Sequence, residues 1–229
     1  MLINGLQKLT LLDYPGKTAC TVFLSGCNFR CPYCHNAGLV VRPQEQPVLG
    51  EADFFAFLKK RRNVLEGVCI TGGEPTLRAD LEEFAGKIKQ LGYSVKLDTN
   101  GTRPEVLSRM IERGLIDYAA MDIKSSKSGY SRCAGVPCAD LRAVQRSIDI
   151  LSGNKVPYEY RTTVVRELHS ADDMVRIGRW LKGAPRYFLQ KYKDSGDTIQ
   201  PGLSACEDGV MSDYLAIIRE YIPDAQIRG

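Results

Sequence analysis

Residues 67–101 read GVCITGGEPTLRADLEEFAGKIKQLGYSVKLDTNG. The stretch opens on a short apolar run rich in β-branched residues, GVCITGG (67–73), the mark of a buried strand. LRADLEEFAGKIKQLG (77–92) then recurs with helical period and reaches Gly92, a residue suited to ending a helix. YSVKLDTNG (93–101) is a second strand running into turn residues. Strand, helix, strand in about 35 residues is a βαβ unit, and such a unit makes its two strands parallel.

Working outward, the same grammar repeats. Before the unit lie strand 18–25 and helix 51–62. After it come helix 104–114, with Pro104 set for a first turn, strand 116–124, a polar loop and helix 141–153. Strand 157–165, helix 171–183, strand 186–193 and a C-terminal helix at 208–221 follow. About six βα units in one array, without linker or low-complexity segment, predict a single domain over 1–229 with its core at 18–193. Six units are too few for a closed eight-stranded barrel, so the expected fold is an open, partial (β/α)6 barrel. Functional groups are then expected at the C-terminal ends of the strands.

The chain has 229 residues and a formal charge of +4. That mildly basic balance, with no basic run interleaved with aromatics, gives no support to nucleic-acid binding. The N-terminus lacks the basic and apolar regions of a signal peptide, and no apolar stretch reaches membrane-span length. A cytoplasmic protein without membrane partners is the expectation. Of eight cysteines, three fall within eight residues, in FLSGCNFRCPYCHN (23–36). In a reducing compartment such a cluster points to metal or redox chemistry rather than disulfides.

Strand ends carry the polar residues. The cysteines follow the first strand, GGEP (72–75) the second, DTNG (98–101) the third and MDIK (121–124) the fourth, while Arg161 lies on the fifth and Lys191 near the end of the sixth. Each motif also has a plain structural reading. Cys27, Cys31 and Cys34 with His35 or a distant cysteine would make a zinc site. GGEP and DTNG are both good turn sequences, Asp122 and Lys124 could form a surface salt bridge, and Arg161 an ion pair. Their ordered conjunction, one motif per strand, is what those readings leave unexplained.

That conjunction resembles the radical S-adenosylmethionine (SAM) enzymes, through CNFRCPYC with its C-x3-C-x2-C spacing and GGEP at the second strand. GCNFRCPYCHN, GGEP, DTNG and MDIK together are similar to the glycyl-radical-enzyme activases, from about Leu2 to Tyr192. LTLLDYPGK before the first strand looks most like the longer form of the anaerobic ribonucleoside-triphosphate reductase activating protein. The resemblance implies one [4Fe–4S] cluster on Cys27, Cys31 and Cys34, with the fourth iron left for SAM. Reductive cleavage of SAM would give a 5′-deoxyadenosyl radical that takes a hydrogen from a glycine of a partner, under anaerobic conditions. Tyr33 would lie against the adenine. The backbone of Gly72, Gly73, Glu74 and Pro75 would meet the SAM ammonium, and Asp98 and Thr99 the methionine moiety, with a monovalent cation possible at Asp98. Asp122 and Lys124 would face the same pocket, Lys124 pairing with the SAM carboxylate, and Arg161 the nucleoside.

The implied partners are a glycyl radical enzyme, foremost the anaerobic ribonucleotide reductase large subunit, and a flavodoxin or ferredoxin-type electron donor. One departure is LQKY (189–192), where many activases have an LPYH-like segment. Cys133 and Cys138 are expected in a loop and outside any cluster, and Cys20 and Cys206 as packing residues. Alternatives are a pyruvate formate-lyase activase, a small-molecule enzyme similar to the 7-carboxy-7-deazaguanine synthases, and a non-enzymatic zinc or electron-transfer protein.

Overall fold

The computed structural model describes residues 1–194 and 196–228. Its strands are β1 (Leu2–Ile3), β2 (Gly5–Thr10), β3 (Ala19–Leu24), β4 (Leu49–Gly50), β5 (Gly67–Gly72), β6 (Ser94–Thr99), β7 (Tyr118–Asp122), β8 (Tyr158–Val164), β9 (Tyr187–Lys191) and β10 (Ala225–Arg228). The helices are α1 (Ala37–Val41), α2 (Glu51–Lys60), α3 (Leu81–Gln90), α4 (Pro104–Glu112), α5 (Tyr130–Ala134), α6 (Leu141–Ser152), α7 (Ala171–Trp180) and α8 (Asp208–Arg219). Strand order in the main sheet is β10-β9-β8-β7-β6-β5-β3-β2. β3, β5 and β6 pair in parallel, as do β8, β9 and β10.

The chain forms two compact units. The first comprises Met1–Asn28, Gly38–Ala120 and Ala143–Pro157. Val68, Cys69 and Ile70 of β5 are wholly buried, as a strand covered on both faces requires. α3 buries Leu81, Phe84, Ala85 and Ile88, one helical stripe, and Phe84 packs on Phe54 of α2 with ring centroids 5.5 Å apart. Helix 77–92 of the sequence reading is split: Pro75–Leu77 is a 3-10 turn, because Glu74 accepts the Thr76 N–H, and α3 starts at Leu81. β2 was not anticipated. It pairs antiparallel with β3, Gly5 opposite Phe23, and its register shifts between Gln7 and Thr10.

The second unit comprises Phe29–Ala37, Met121–Arg142 and the chain from Tyr158 onward. Here the Tyr187 hydroxyl donates to Thr162 Oγ1 at 2.6 Å, and Thr162 Oγ1 donates to the Ile123 carbonyl at 2.6 Å. This relay fixes the chain just beyond β7. α7 begins with a capping box between Ser170 and Asp173. β10 is held by Arg228, which pairs with buried Glu159 at 3.0 Å and lies over the Phe188 ring. Cys133, expected in a loop, sits on α5 instead, while Cys138 lies exposed beyond it. α5 is only five residues long and depends on packing: the Tyr130 ring meets both Phe29 and Trp180 edge-on. No helix among the described residues is long and apolar enough to cross a membrane.

Candidate functional site

In the first unit, the chain beyond β5 is stitched to the chain beyond β3. Gly73 N–H donates to Leu24 O and Glu74 N–H to Gly26 O, both at 2.8 Å. A Cβ on Gly73 would fall inside the contact distance of the Gly26 carbonyl, and one on Gly72 would strike the Leu24 backbone. These glycines let two main chains meet directly before Cys27. Glu74 is buried, and both carboxylate oxygens are engaged. Oε1 accepts from Thr76 N–H (3.1 Å), Thr76 Oγ1 (2.5 Å) and Thr99 Oγ1 (2.8 Å), while Oε2 accepts from Asn100 N–H (2.6 Å). Burial pushes its carboxyl up, against these four bonds. Glu74 thus ties GGEP to DTNG, a role the sequence reading had not separated from that of its neighbours. Pro75, buried, opens the 3-10 turn.

Asp98 lies one residue before the end of β6, near Lys96, which is 1% exposed, and its carboxylate accepts from the Lys96 ammonium. Cys69 Sγ lies 3.7 Å from Asp98 Oδ1 and 3.8 Å from Lys96 Nζ. DTNG also keeps its turn bonds: Gly101 N–H to Thr99 Oγ1 at 3.1 Å and Thr102 N–H to Asn100 Oδ1 at 3.0 Å. Turn and site readings hold for the same residues. Asn100 Nδ2 lies 3.9 Å from Cys27 Sγ. Lys96 and Asn100 were both passed over; Lys96 had a signal, a charged residue at a buried strand position.

In the second unit, Cys31 and Cys34 close a turn, Cys34 N–H donating to Cys31 O at 3.0 Å. Arg30 N–H donates to Ala134 O of α5 at 2.9 Å, and Gly135, at φ +65°, brings its backbone against Arg30. Burial pushes the Cys34 thiol up, with Lys124 opposing it. Asp122, Lys124 and Arg161 meet: Asp122 accepts from Lys124 Nζ at 3.1 Å and from Arg161 Nε at 2.9 Å. They are 31%, 15% and 12% exposed, a half-buried cluster rather than a surface salt bridge. Burial raises the Asp122 carboxyl, but the two cations outweigh it and hold it down at about 2.

Asp122→Asn is therefore expected to leave two part-buried cations without their carboxylate and to destabilise the fold by about 1–3 kcal/mol at pH 7. Because the folded carboxyl sits below its unfolded value of 3.8, that contribution is present above about pH 4 and lost as pH falls towards 2. Urea unfolding of both proteins at pH 7 and pH 3 checks this: the difference should shrink at the lower pH.

His169, one of two histidines in the chain, was missed altogether. Its Nδ1 accepts the Val165 N–H at 3.1 Å, so the neutral ring carries its proton on Nε2, which donates to the Lys124 carbonyl at 2.9 Å. Burial lowers its pKa and keeps it neutral. It steadies the Lys124 backbone, and its ring meets buried Tyr33 edge-on. Among the described residues the buried Tyr33 hydroxyl meets no hydrogen-bond partner. His35, the sequence's candidate zinc ligand, stacks on Tyr192, and its Nε2 lies 2.8 Å from Lys193 O.

None of the eight cysteines is tied in a disulfide. Among the described residues no three His, Cys, Asp or Glu side chains are gathered as one metal ion would need. A cluster makes a different demand, since each thiolate binds its own iron. Three unlinked thiols on one short loop, with an amide N–H beside one of them, fit that donor chemistry.

Residues 21–181 match the family model described as the Radical SAM superfamily. A curated relative of Methanocaldococcus jannaschii named "Putative glycyl-radical enzyme activating enzyme" is 32% identical over 99% of this chain and 95% of its own. A "Probable GTP 3',8-cyclase" of Thermococcus kodakarensis is 28% identical over 66% of this chain, which spans about half (49%) of that protein. Among solved structures, QueE from Escherichia coli matches with TM-score 0.54 and 17% identity over 99% of this chain and 93% of its own. SuiB from Streptococcus suis matches with TM-score 0.67 and 15% identity over 92% of this chain and 49% of its own. The structural likenesses concern the fold alone: helices over a mostly parallel sheet, of the open partial-barrel class expected. The chain belongs to the radical SAM superfamily, whose chemistry rests on a [4Fe–4S] cluster and S-adenosylmethionine.

Proposed function

We propose that this chain is a glycyl-radical-enzyme activase that takes a hydrogen from a glycine of a partner protein. The observation that carries the reading is the full-length likeness to the Methanocaldococcus jannaschii relative, joined to the C-x3-C-x2-C loop. The partner proposed is the large subunit of an anaerobic ribonucleotide reductase, because LTLLDYPGK looks most like the longer form of its activating protein. The electron donor is of flavodoxin or ferredoxin type. When bound, the cluster and SAM supply an electron and the 5′-deoxyadenosyl radical that removes the hydrogen.

The residues do the holding. Cys27, Cys31 and Cys34 ligate iron, and Tyr33 offers the adenine a buried ring whose hydroxyl is unspent. The main chain at Gly72, Gly73, Glu74 and Pro75 receives the SAM ammonium; its N–H groups at Gly73 and Glu74 are already used, leaving carbonyls as the acceptors. Lys124 pairs with the SAM carboxylate, Asp122 keeps Lys124 and Arg161 oriented, and Arg161 serves the nucleoside. Asp98 and Thr99 serve the methionine end. Lys96 already gives Asp98 a positive partner, so the reading needs no monovalent cation there.

The test mixes reduced, reconstituted protein and SAM, without oxygen, with each candidate partner and looks for a glycyl doublet by electron paramagnetic resonance. The expected result is a doublet on the reductase. A doublet on pyruvate formate-lyase alone would replace the partner and keep the chemistry. No doublet on any glycyl radical enzyme, with deoxyadenosine formed on addition of a nucleotide or pterin, would overturn activation in favour of a small-molecule substrate.

A further inference from the structure

Asn100 carries a side-chain amide whose orientation is decided by its neighbours. The Thr102 main-chain N–H can only donate, and it points at one terminal atom of Asn100 at 3.0 Å; the Thr102 hydroxyl reaches the same atom at 2.6 Å. That atom is therefore Oδ1. The other end, Nδ2, donates to Asn28 Oδ1 at 2.9 Å and directs N–H at Cys27 Sγ, 3.9 Å away. Asn28 Nδ2 donates in turn to Thr102 Oγ1 at 2.9 Å, closing a ring of three side chains. The Asn100 main chain is pinned by Glu74. At 4% exposure, Asn100 does not share its amide with bulk water. Both ends of the Asn100 amide are thus engaged, Oδ1 by Thr102 and one Nδ2 N–H by Asn28, and the second Nδ2 N–H faces sulfur.

From this geometry we infer that Asn100 sets the reduction potential of the iron–sulfur cluster by donating a hydrogen bond to the Cys27 thiolate. The inference rests on the reading of Cys27 as an iron ligand and adds a residue to it. One electron enters the cluster on reduction and no bond forms or breaks. The extra negative charge spreads onto the sulfurs, so an N–H aimed at a ligating sulfur stabilises the reduced state more than the oxidised one. Removing it makes reduction harder. Asn100 acts through Cys27 and is a positioning residue, not a catalytic one.

The experiment is a redox titration of the reconstituted holoprotein with dithionite and mediators, read by the resonance signal of the reduced cluster, beside iron content. Asn100→Ala is expected to lower the equilibrium constant for one-electron reduction about tenfold, which is a shift of about 59 mV to lower potential. Asn100→Asp keeps the volume and the acceptor for Thr102 but turns a carboxylate oxygen to the sulfur, so its potential should fall further. An unchanged potential in the iron-loaded Asp variant would overturn the inference. So would loss of iron from both variants, which would assign Asn100 to holding the loop alone. Failure of the unaltered protein to form a four-iron cluster is a different result, one that removes the iron-site reading beneath it.

Discussion

Replacing any one of Cys27, Cys31 and Cys34 by Ala abolishes the iron–sulfur chromophore and all SAM cleavage, whereas Cys133→Ala and Cys138→Ala leave both in place: this is the expected result of reconstituting the five variants. The difference follows from surroundings, since none of the eight cysteines is tied in a disulfide. Cys133 is buried on α5, its Sγ 3.8 Å from the Leu168 carbonyl and 3.9 Å from His169 Nε2, and burial pushes its thiol up, away from the thiolate a metal needs. Its loss should cost only packing, about 1 kcal/mol. Cys138 is exposed beyond α5. His35 of the same loop stacks on Tyr192, with its Nε2 2.8 Å from the Lys193 carbonyl. Iron per chain and the thiolate-to-iron absorption near ~400 nm provide the measurement. A full cluster in Cys34→Ala, or its loss in Cys133→Ala, would contradict the assignment.

What could be read beforehand depended on how local the cause was. The six strands of the βα array and their helices follow from patterns inside each segment: β5 is apolar throughout, and α3 repeats its buried stripe every three or four residues. The elements that escaped are made by their neighbours. GLQKLT of β2 has Gln7 and Lys8 exposed, and becomes a strand because β3 offers it an edge. β10 is four residues seated by Arg228 on Glu159 and Phe188. α5 is too short to nucleate alone and is secured by Tyr130. The site shows the same division. Cysteine spacing and the one-motif-per-strand order are visible in the chain, but Asn100 beside Cys27 spans 73 positions, and His169 beneath Lys124 spans 45. No window of sequence contains such pairs.

Gly135 supplies the second large effect, and Gly114 its control. Both follow short helices with left-handed backbones, φ +65° and +62°, where an L side chain costs about 1–2 kcal/mol. They differ in what a Cβ would meet. At Gly114 nothing lies within 4 Å; at Gly135 the new atom would enter the Arg30 carbonyl, a main-chain group that cannot swing aside. Relief requires moving the peptide between Arg30 and Cys31, which breaks the 2.9 Å bond from Arg30 N–H to Ala134 O. Overpacking of this kind adds about 1–3 kcal/mol. Gly114→Ala should therefore lower stability by about 1–2 kcal/mol and bind iron as the unaltered protein does. Gly135→Ala should lose about 2–5 kcal/mol and also most of its iron, because the displaced peptide carries Cys31. Urea unfolding of the iron-free proteins measures the first quantity and iron content after reconstitution the second. If the two variants matched in both, α5 would not be what braces the cysteine loop. If Gly135→Ala lost stability yet kept its iron, the Arg30–Ala134 contact would not be what positions Cys31.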